Sequence, residues 1–186
     1  DSFRGVKDTN SIVTGSSGGV GSISVMLLAQ LGSQVTAVSG KVDQQNFLKD
    51  IGASSVISRK ELTELIKLPI NKGLWDIGVD VVSGEILSKL LAALNPGGAV
   101  ACSGLVGGTS FKSSILPFIL RGISLLGIDS VEIPIEKKKL IWQNYASIWS
   151  LKDIDKITKE VDLEGLEKEV KIILKGDQVG RVVLKL

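Results

Sequence analysis

The stretch Thr14-Gly15-Ser16-Ser17-Gly18-Gly19-Val20-Gly21 decides the fold. An apolar strand, Ser11 to Val13, precedes it, and an apolar helix is expected from Val20 to Leu31, where Gly32 ends it. Glycines let the backbone turn tightly and approach a pyrophosphate, and the free N–H groups of the helix's first turn point at the phosphate oxygens. A strand, a glycine turn and a helix in this order predict a dinucleotide-binding unit.

The glycine spacing fits two dehydrogenase patterns. Against G-x-G-x-x-G, Ser16 occupies the first glycine position, so that match is incomplete. The T-G-x-x-x-G-x-G pattern of short-chain dehydrogenases is matched in full, at Thr14, Gly15, Gly19 and Gly21. That class also needs a Tyr-x-x-x-Lys pair, in which the lysine lowers the tyrosine pKa for proton transfer. The only tyrosine in the sequence, Tyr145, is followed four residues later by Trp149, so the short-chain class is excluded.

Composition limits the possible functions. Of the 186 residues, 44% are hydrophobic and 23% charged, and 22 basic residues nearly cancel 20 acidic ones, which gives no case for nucleic-acid binding. No histidine is present, which excludes Ser-His-Asp and Cys-His nucleophile systems and makes a zinc site built from this chain improbable. The single Cys102 excludes an internal disulfide, is expected to pack as a small hydrophobe, and fits a reducing cytoplasm.

The sequence predicts neither a membrane span nor a signal peptide. No apolar run is long enough to cross a bilayer, and no signal peptide begins at Asp1. The first ten residues are polar and include no start methionine, so we expect this chain to be a piece of a longer protein.

The ends of the second and third strands predict a site for a 2′-phosphate. NAD-binding folds usually end the second strand in an acid that binds the ribose 2′-hydroxyl, but here Ser39-Gly40-Lys41 follows it. The third strand, Ser55 to Ser58, is followed by Arg59. In the strand order 3-2-1-4-5-6 the second and third strands are neighbours, so the two cations lie close together, as expected for a phosphate site.

The remaining chain alternates strands with helices. The other predicted strands cover residues 33–39, 77–82, 99–103 and 123–128, and the other predicted helices cover 43–49, 61–68, 85–94 and 114–120. This is an α/β doubly wound parallel sheet of the Rossmann type, whose ligand binds outside the carboxyl ends of the strands. From Val131 the pattern changes to a helix opened by Pro134, a strand over 156–161, a helix over 163–174 and a last strand, Gly180 to Leu184, that belongs to another sheet.

Three segments carry a family resemblance. Val13 to Ser22, Ser39 to Lys41 and above all Pro117-Phe118-Ile119-Leu120-Arg121-Gly122-Ile123-Ser124-Leu125-Leu126-Gly127-Ile128-Asp129-Ser130 resemble the YhdH/YhfP group of zinc-independent medium-chain quinone oxidoreductases, which includes acryloyl-CoA reductases. The resemblance covers nearly the whole chain. It implies a dinucleotide-binding domain over 1–131 and a segment over 132–186 that returns to a GroES-like catalytic domain absent from this chain.

The resemblance also implies a cofactor, a site and a reaction. The cofactor would be NADP(H), and a hydride would pass from NADPH to an activated alkene, such as an enoyl thioester, or to a quinone, in a cytoplasmic enzyme that is a homodimer at full length. The pyrophosphate would contact Ser17, Gly18, Gly19 and Val20; the 2′-phosphate would contact Ser39, Gly40, Lys41 and Arg59; and Leu105, Ile119 and Ser130 would lie along the nicotinamide half. Catalytic residues and a metal site are not assigned to this chain. The alternative is a non-catalytic nucleotide-sensing module with the same fold.

Overall fold

The computed structural model describes residues 5–186, so the expectations placed on Asp1 and on the start of the predicted domain 1–131 lie outside the described residues. The main sheet has six parallel strands in the order β3-β2-β1-β4-β5-β6. These strands are β1 (Asn10–Thr14), β2 (Gln34–Ser39), β3 (Ser55–Ser58), β4 (Trp75–Asp80), β5 (Leu94–Cys102) and β6 (Ser124–Gly127). The predicted doubly wound parallel sheet and its strand order are confirmed.

Five helices connect these strands. They are α1 (Gly19–Gln30), α2 (Gln45–Asp50), α3 (Arg59–Leu65), α4 (Gly84–Ala92) and α5 (Leu116–Arg121), with a short 3-10 helix (Val42–Gln44) before α2. Ile12 packs into one buried cluster with Leu87 and Leu90 of α4, whereas the next residue, Val13, packs into a second cluster with Val25 of α1. Successive strand residues point to opposite faces, so both faces of the sheet are covered by helices.

The structure corrects the predicted starts of two helices. We expected a helix from Glu61, but α3 begins at Arg59 because Ser58 and Glu61 form a capping box in which each side chain bonds the other's backbone N–H. Asp43 was expected to cap the following helix, and this expectation is wrong: the 3-10 turn already begins at Val42, and the N-cap position holds Lys41 without a side-chain cap bond.

Strand β5 is also longer than expected. The segment Asn95-Pro96-Gly97-Gly98 was predicted to be a turn, whereas it belongs to β5, which begins at Leu94. The pairing with β4 shifts register between Trp75 and Ile77. The first part of β5, from Leu94, is therefore irregular, and regular pairing resumes at Ala99.

The chain after β6 adds two helices and two strands outside the main sheet. It contains α6 (Ile135–Tyr145), a 3-10 turn (Ile154–Ile157), β7 (Thr158–Val161), α7 (Leu163–Leu174) and β8 (Arg181–Leu184). Strands β7 and β8 pair in parallel as a two-stranded sheet of their own, which confirms that the last strand belongs to another sheet. The division into residues 1–131 and 132–186 stays a prediction. Within residues 5–186, no helix combines the length and apolar character that a membrane span requires.

Candidate functional site

The loop between β1 and α1 forms a cradle of bare backbone. Gly15 has a φ of 58°, and the N–H of Gly18 donates to its carbonyl at 3.0 Å, which closes a tight turn. A Cβ on Gly21 would overlap the Gly15 carbonyl oxygen, so no other residue fits there. The N–H groups of α1's first turn have no partner within the helix, and no side chain of residues 5–186 caps them. The loop therefore presents free donors and a helix N-terminus, which together attract an anion.

The serines of the loop lie underneath it and fix it to the end of β2. The hydroxyl of Ser16 donates to the Val38 carbonyl at 2.9 Å, and the hydroxyls of Ser17 and Ser39 are 3.1 Å apart. All three serines are buried. The Ser39 hydroxyl also accepts from the backbone N–H of Lys41 at 3.0 Å. Ser17 and Ser39, predicted to contact the cofactor, thus position the glycine loop and Lys41 relative to one another.

A cavity of about 420 Å³ lies in front of the glycine loop, at the carboxyl ends of the strands. Within the described part of the chain, the charged side chains that line it are Lys41, Arg59 and Arg181, all of which are cationic. The Arg59 side chain lies against the backbone of Gly40, since a Cβ there would be 3.4 Å from its Nε. The structure therefore brings the two predicted cations, Lys41 and Arg59, to the wall of one cavity, beside Gly40.

Arg181 is a residue that sequence reasoning missed. Its guanidinium lies over the first residue of α1, where a Cβ on Gly19 would overlap it. The backbone N–H of Gly180 donates to the Ser17 carbonyl at 2.9 Å and holds the start of β8 against the glycine loop. A guanidinium can donate two parallel hydrogen bonds to a phosphate, so the cradle gains a cation beside its backbone donors. The sequence showed the Gly-Arg pair opening the last strand but not which surface it would face.

Asp80, at the end of β4, is a second residue that the sequence did not single out. It is fully buried, and its carboxylate accepts from the Thr14 hydroxyl at 2.6 Å and from the Ser83 N–H at 2.8 Å. Ser83 has a φ of 66°, a conformation that costs free energy for a residue with a side chain. The carboxylate thus joins the end of β1 to the strained turn before α4, both of which border the cavity.

Cys102 faces the same carboxylate. Its Sγ lies 3.6 Å from Asp80 Oδ2. Burial and then the negative charge of Asp80 raise the pKa of the Cys102 thiol above its ordinary value. A thiol held protonated is a poor nucleophile, which agrees with the predicted packing role.

The residues predicted for the nicotinamide half are less closely grouped. Leu105 stands between two cavity-lining residues, Gly104 and Val106, and is itself exposed. Ile119 lies on α5 with two thirds of its surface exposed, and Ser130 is exposed after β6. Neither is among the described residues that line the cavity. Their contact with a cofactor stays a prediction.

Tyr145 is not among the described residues that line the cavity. The ring of Tyr145 packs between Trp142 and Trp149, at centroid distances of 6.1 and 5.9 Å, and burial raises its pKa. Among residues 5–186, no group of three or more histidine, cysteine or acidic side chains could hold a metal ion.

Comparison with known proteins identifies relatives along the whole chain. The family model described as "Zinc-binding dehydrogenase" matches residues 19–146. The acrylyl-CoA reductase AcuI of Ruegeria pomeroyi is 36% identical over 173 residues, which are 93% of this chain and 52% of that protein. The putative quinone oxidoreductase YhfP of Bacillus subtilis is 41% identical over 178 residues, 94% of this chain and 53% of that protein.

Two solved structures superpose closely. The crystal structure of B. subtilis YhfP with NAD bound has a TM-score of 0.93 at 38% identity and covers 100% of this chain and 56% of that one. The YhdH oxidoreductase of Salmonella enterica in complex with NADP has a TM-score of 0.89 at 37% identity, covering 96% and 55%. The chain spans about half the length of the curated relatives it matches.

Proposed function

The chain belongs to the zinc-binding dehydrogenase family, and from that premise we propose that it is the cofactor-binding part of an NADPH-dependent reductase. The resemblance to the YhdH/YhfP group predicted from the sequence is confirmed by relatives 36% and 41% identical over more than nine tenths of the chain. Their names, acrylyl-CoA reductase and quinone oxidoreductase, support an activated alkene or a quinone as the hydride acceptor. The longer protein would be a cytoplasmic homodimer.

One observation carries the proposal: a glycine cradle at a helix N-terminus lies beside three cations in one cavity. Gly21 lets α1 pack close against the Gly15 carbonyl, and Gly19 adds no side chain of its own to the cradle, which fits close approach of a pyrophosphate. A pyrophosphate carries negative charge, and Arg181 stands over the cradle to meet it.

The roles of the other residues follow from their places around the cavity. Lys41 and Arg59 would bind the 2′-phosphate, which distinguishes NADP(H) from NAD(H). Val81, Val82 and Ser103, which follow β4 and β5, also line the cavity. The nicotinamide half would lie there, next to the predicted Leu105, Ile119 and Ser130. The bound cofactor supplies the hydride, while this chain orients it and its apolar side chains exclude water.

Zinc does not fit this chain despite the name of the family. The sequence has no histidine and one cysteine, and residues 5–186 contain no cluster of metal-binding side chains. No step of the reaction is therefore assigned to a metal held by these residues, and no general acid is assigned among them.

The test compares binding with turnover. We expect the 186-residue chain to bind NADPH more tightly than NADH and to reduce neither an acryloyl thioester nor a quinone, because the catalytic domain that this chain lacks is needed to enclose the nicotinamide. The product of the complete open reading frame should turn over. Failure of the chain to bind NADPH contradicts the proposal. Binding without turnover by the complete product would favour the nucleotide-sensing module instead.

A further inference from the structure

The C-terminal segment forms one wall of the cavity. Gly176, Gln178 and Gly180 line it together with the glycine loop. The Lys41 ammonium donates to the carbonyl oxygen of Gln178, 137 residues later in the sequence. The cation that the proposed function assigns to the 2′-phosphate is therefore already in contact with the segment between α7 and β8.

An acidic residue stands at this contact. Asp177 immediately precedes Gln178 and is exposed. Its backbone N–H closes the end of α7 by donating to the Ile172 carbonyl at 3.1 Å, whereas its carboxylate takes part in no hydrogen bond or ion pair among the described residues. The carboxylate is thus not needed for the fold of the segment.

The charge of Asp177 reaches Lys41. Burial lowers the pKa of Lys41 overall, but Asp177 is the strongest of the charges that act on it, and it opposes this shift. Asp43 acts in the same direction more weakly, and Arg59 acts with burial. A 2′-phosphate bound by Lys41 and Arg59 would meet this carboxylate as a like charge.

We propose that Asp177 is a specificity-determining residue for the cofactor: its carboxylate, next to the contact between Gln178 and Lys41, repels the 2′-phosphate, which keeps NADPH binding weaker than the cation pair alone would make it. This inference rests on the proposed function. It assigns the C-terminal segment a part in choosing between NADP(H) and NAD(H), in addition to forming the cavity wall. The repulsion acts on the 2′-phosphate and leaves the cofactor that lacks it nearly unaffected.

The experiment measures dissociation constants of NADPH and NADH for the 186-residue chain and three variants. Asp177→Asn removes the charge and keeps the shape, Asp177→Glu keeps the charge, and Asp155→Asn removes an equal charge from an exposed position away from the cavity. We expect Asp177→Asn to tighten NADPH binding by about twofold to fivefold, the range for one exposed charge, with little change for NADH. The gain should shrink as salt is added. Asp177→Glu and Asp155→Asn should keep the wild-type ratio.

Two results overturn the inference in distinguishable ways. If the wild type binds both cofactors and Asp177→Asn leaves their affinity ratio unchanged, or changes it no more than Asp155→Asn does, Asp177 has no role in specificity while the proposed function stands. If the wild type binds neither cofactor, the proposed function is wrong and the inference is lost with it.

Discussion

Replacing Arg181 with alanine tests the role of its guanidinium, which lies over the glycine loop. The guanidinium lies over Gly19 at the N-terminus of α1, where the pyrophosphate is proposed to bind. A hydrogen bond to a charged group contributes about 1.5–3 kcal/mol, and the exposure of Arg181 places the expected loss in the lower part of that range, at about 1.5–2 kcal/mol. Since about 1.4 kcal/mol corresponds to a tenfold change, both NADPH and NADH should bind roughly 10-fold to 30-fold more weakly.

The equality of the two losses is the decisive part of this prediction. The pyrophosphate is common to both cofactors, so the ratio of their affinities should not move. Cofactor fluorescence titrations on the wild type, Arg181→Ala, Arg181→Lys and the control Lys185→Ala measure it, with thermal unfolding to verify that each variant is folded. Arg181→Lys should recover part of the loss because it keeps the charge but not the paired donors. Arg181→Ala dissociation constants within twofold of the wild type for both cofactors would refute the reasoning.

Three other predictions follow from the same site. Lys41→Ala should weaken NADPH binding by about 1.5–3 kcal/mol and leave NADH binding nearly unchanged, and equal affinities of the wild type for the two cofactors would contradict the assigned 2′-phosphate site. Asp80→Ala should lower the free energy of unfolding by about 2–5 kcal/mol in urea titrations, because the Thr14 hydroxyl and the Ser83 N–H lose their buried acceptor. Asp80→Asn should lower the free energy of unfolding less. A loss below about 1 kcal/mol for alanine would mean that water replaces the carboxylate. Cys102 should react slowly with iodoacetamide at pH 8 in the folded chain and rapidly in urea, since its raised pKa keeps the thiol protonated; its contribution to stability is complete below the ordinary thiol pKa and disappears as the pH rises through the higher folded value.

Much of the fold could be predicted from short-range features of the sequence. The glycine spacing from Gly15 to Gly21 can be recognised because it meets a local backbone requirement: a turn with positive φ and no room for a Cβ. The apolar strands alternating with helices fix a parallel sheet, since right-handed crossovers leave few possible topologies. The first residues of the helices were predicted less accurately. The apolar pattern placed the start of α3 at Glu61, but the capping box of Ser58 and Glu61 starts it two residues earlier.

The candidate site likewise contains residues that the sequence predicted and residues that only the structure placed. From the sequence alone came the glycine cradle, the missing acid after β2, and the cations Lys41 and Arg59, each attached to the end of its own strand. Only the tertiary structure placed Arg181 over Gly19 and brought the segment next to Asp177 against Lys41, across 137 residues. Helix periodicity and turn geometry act over a few residues, so they are written locally in the sequence. Contacts such as that of Arg181 with Gly19 join residues far apart in the sequence. They depend on how the two sheets pack together, and only the tertiary structure shows that packing.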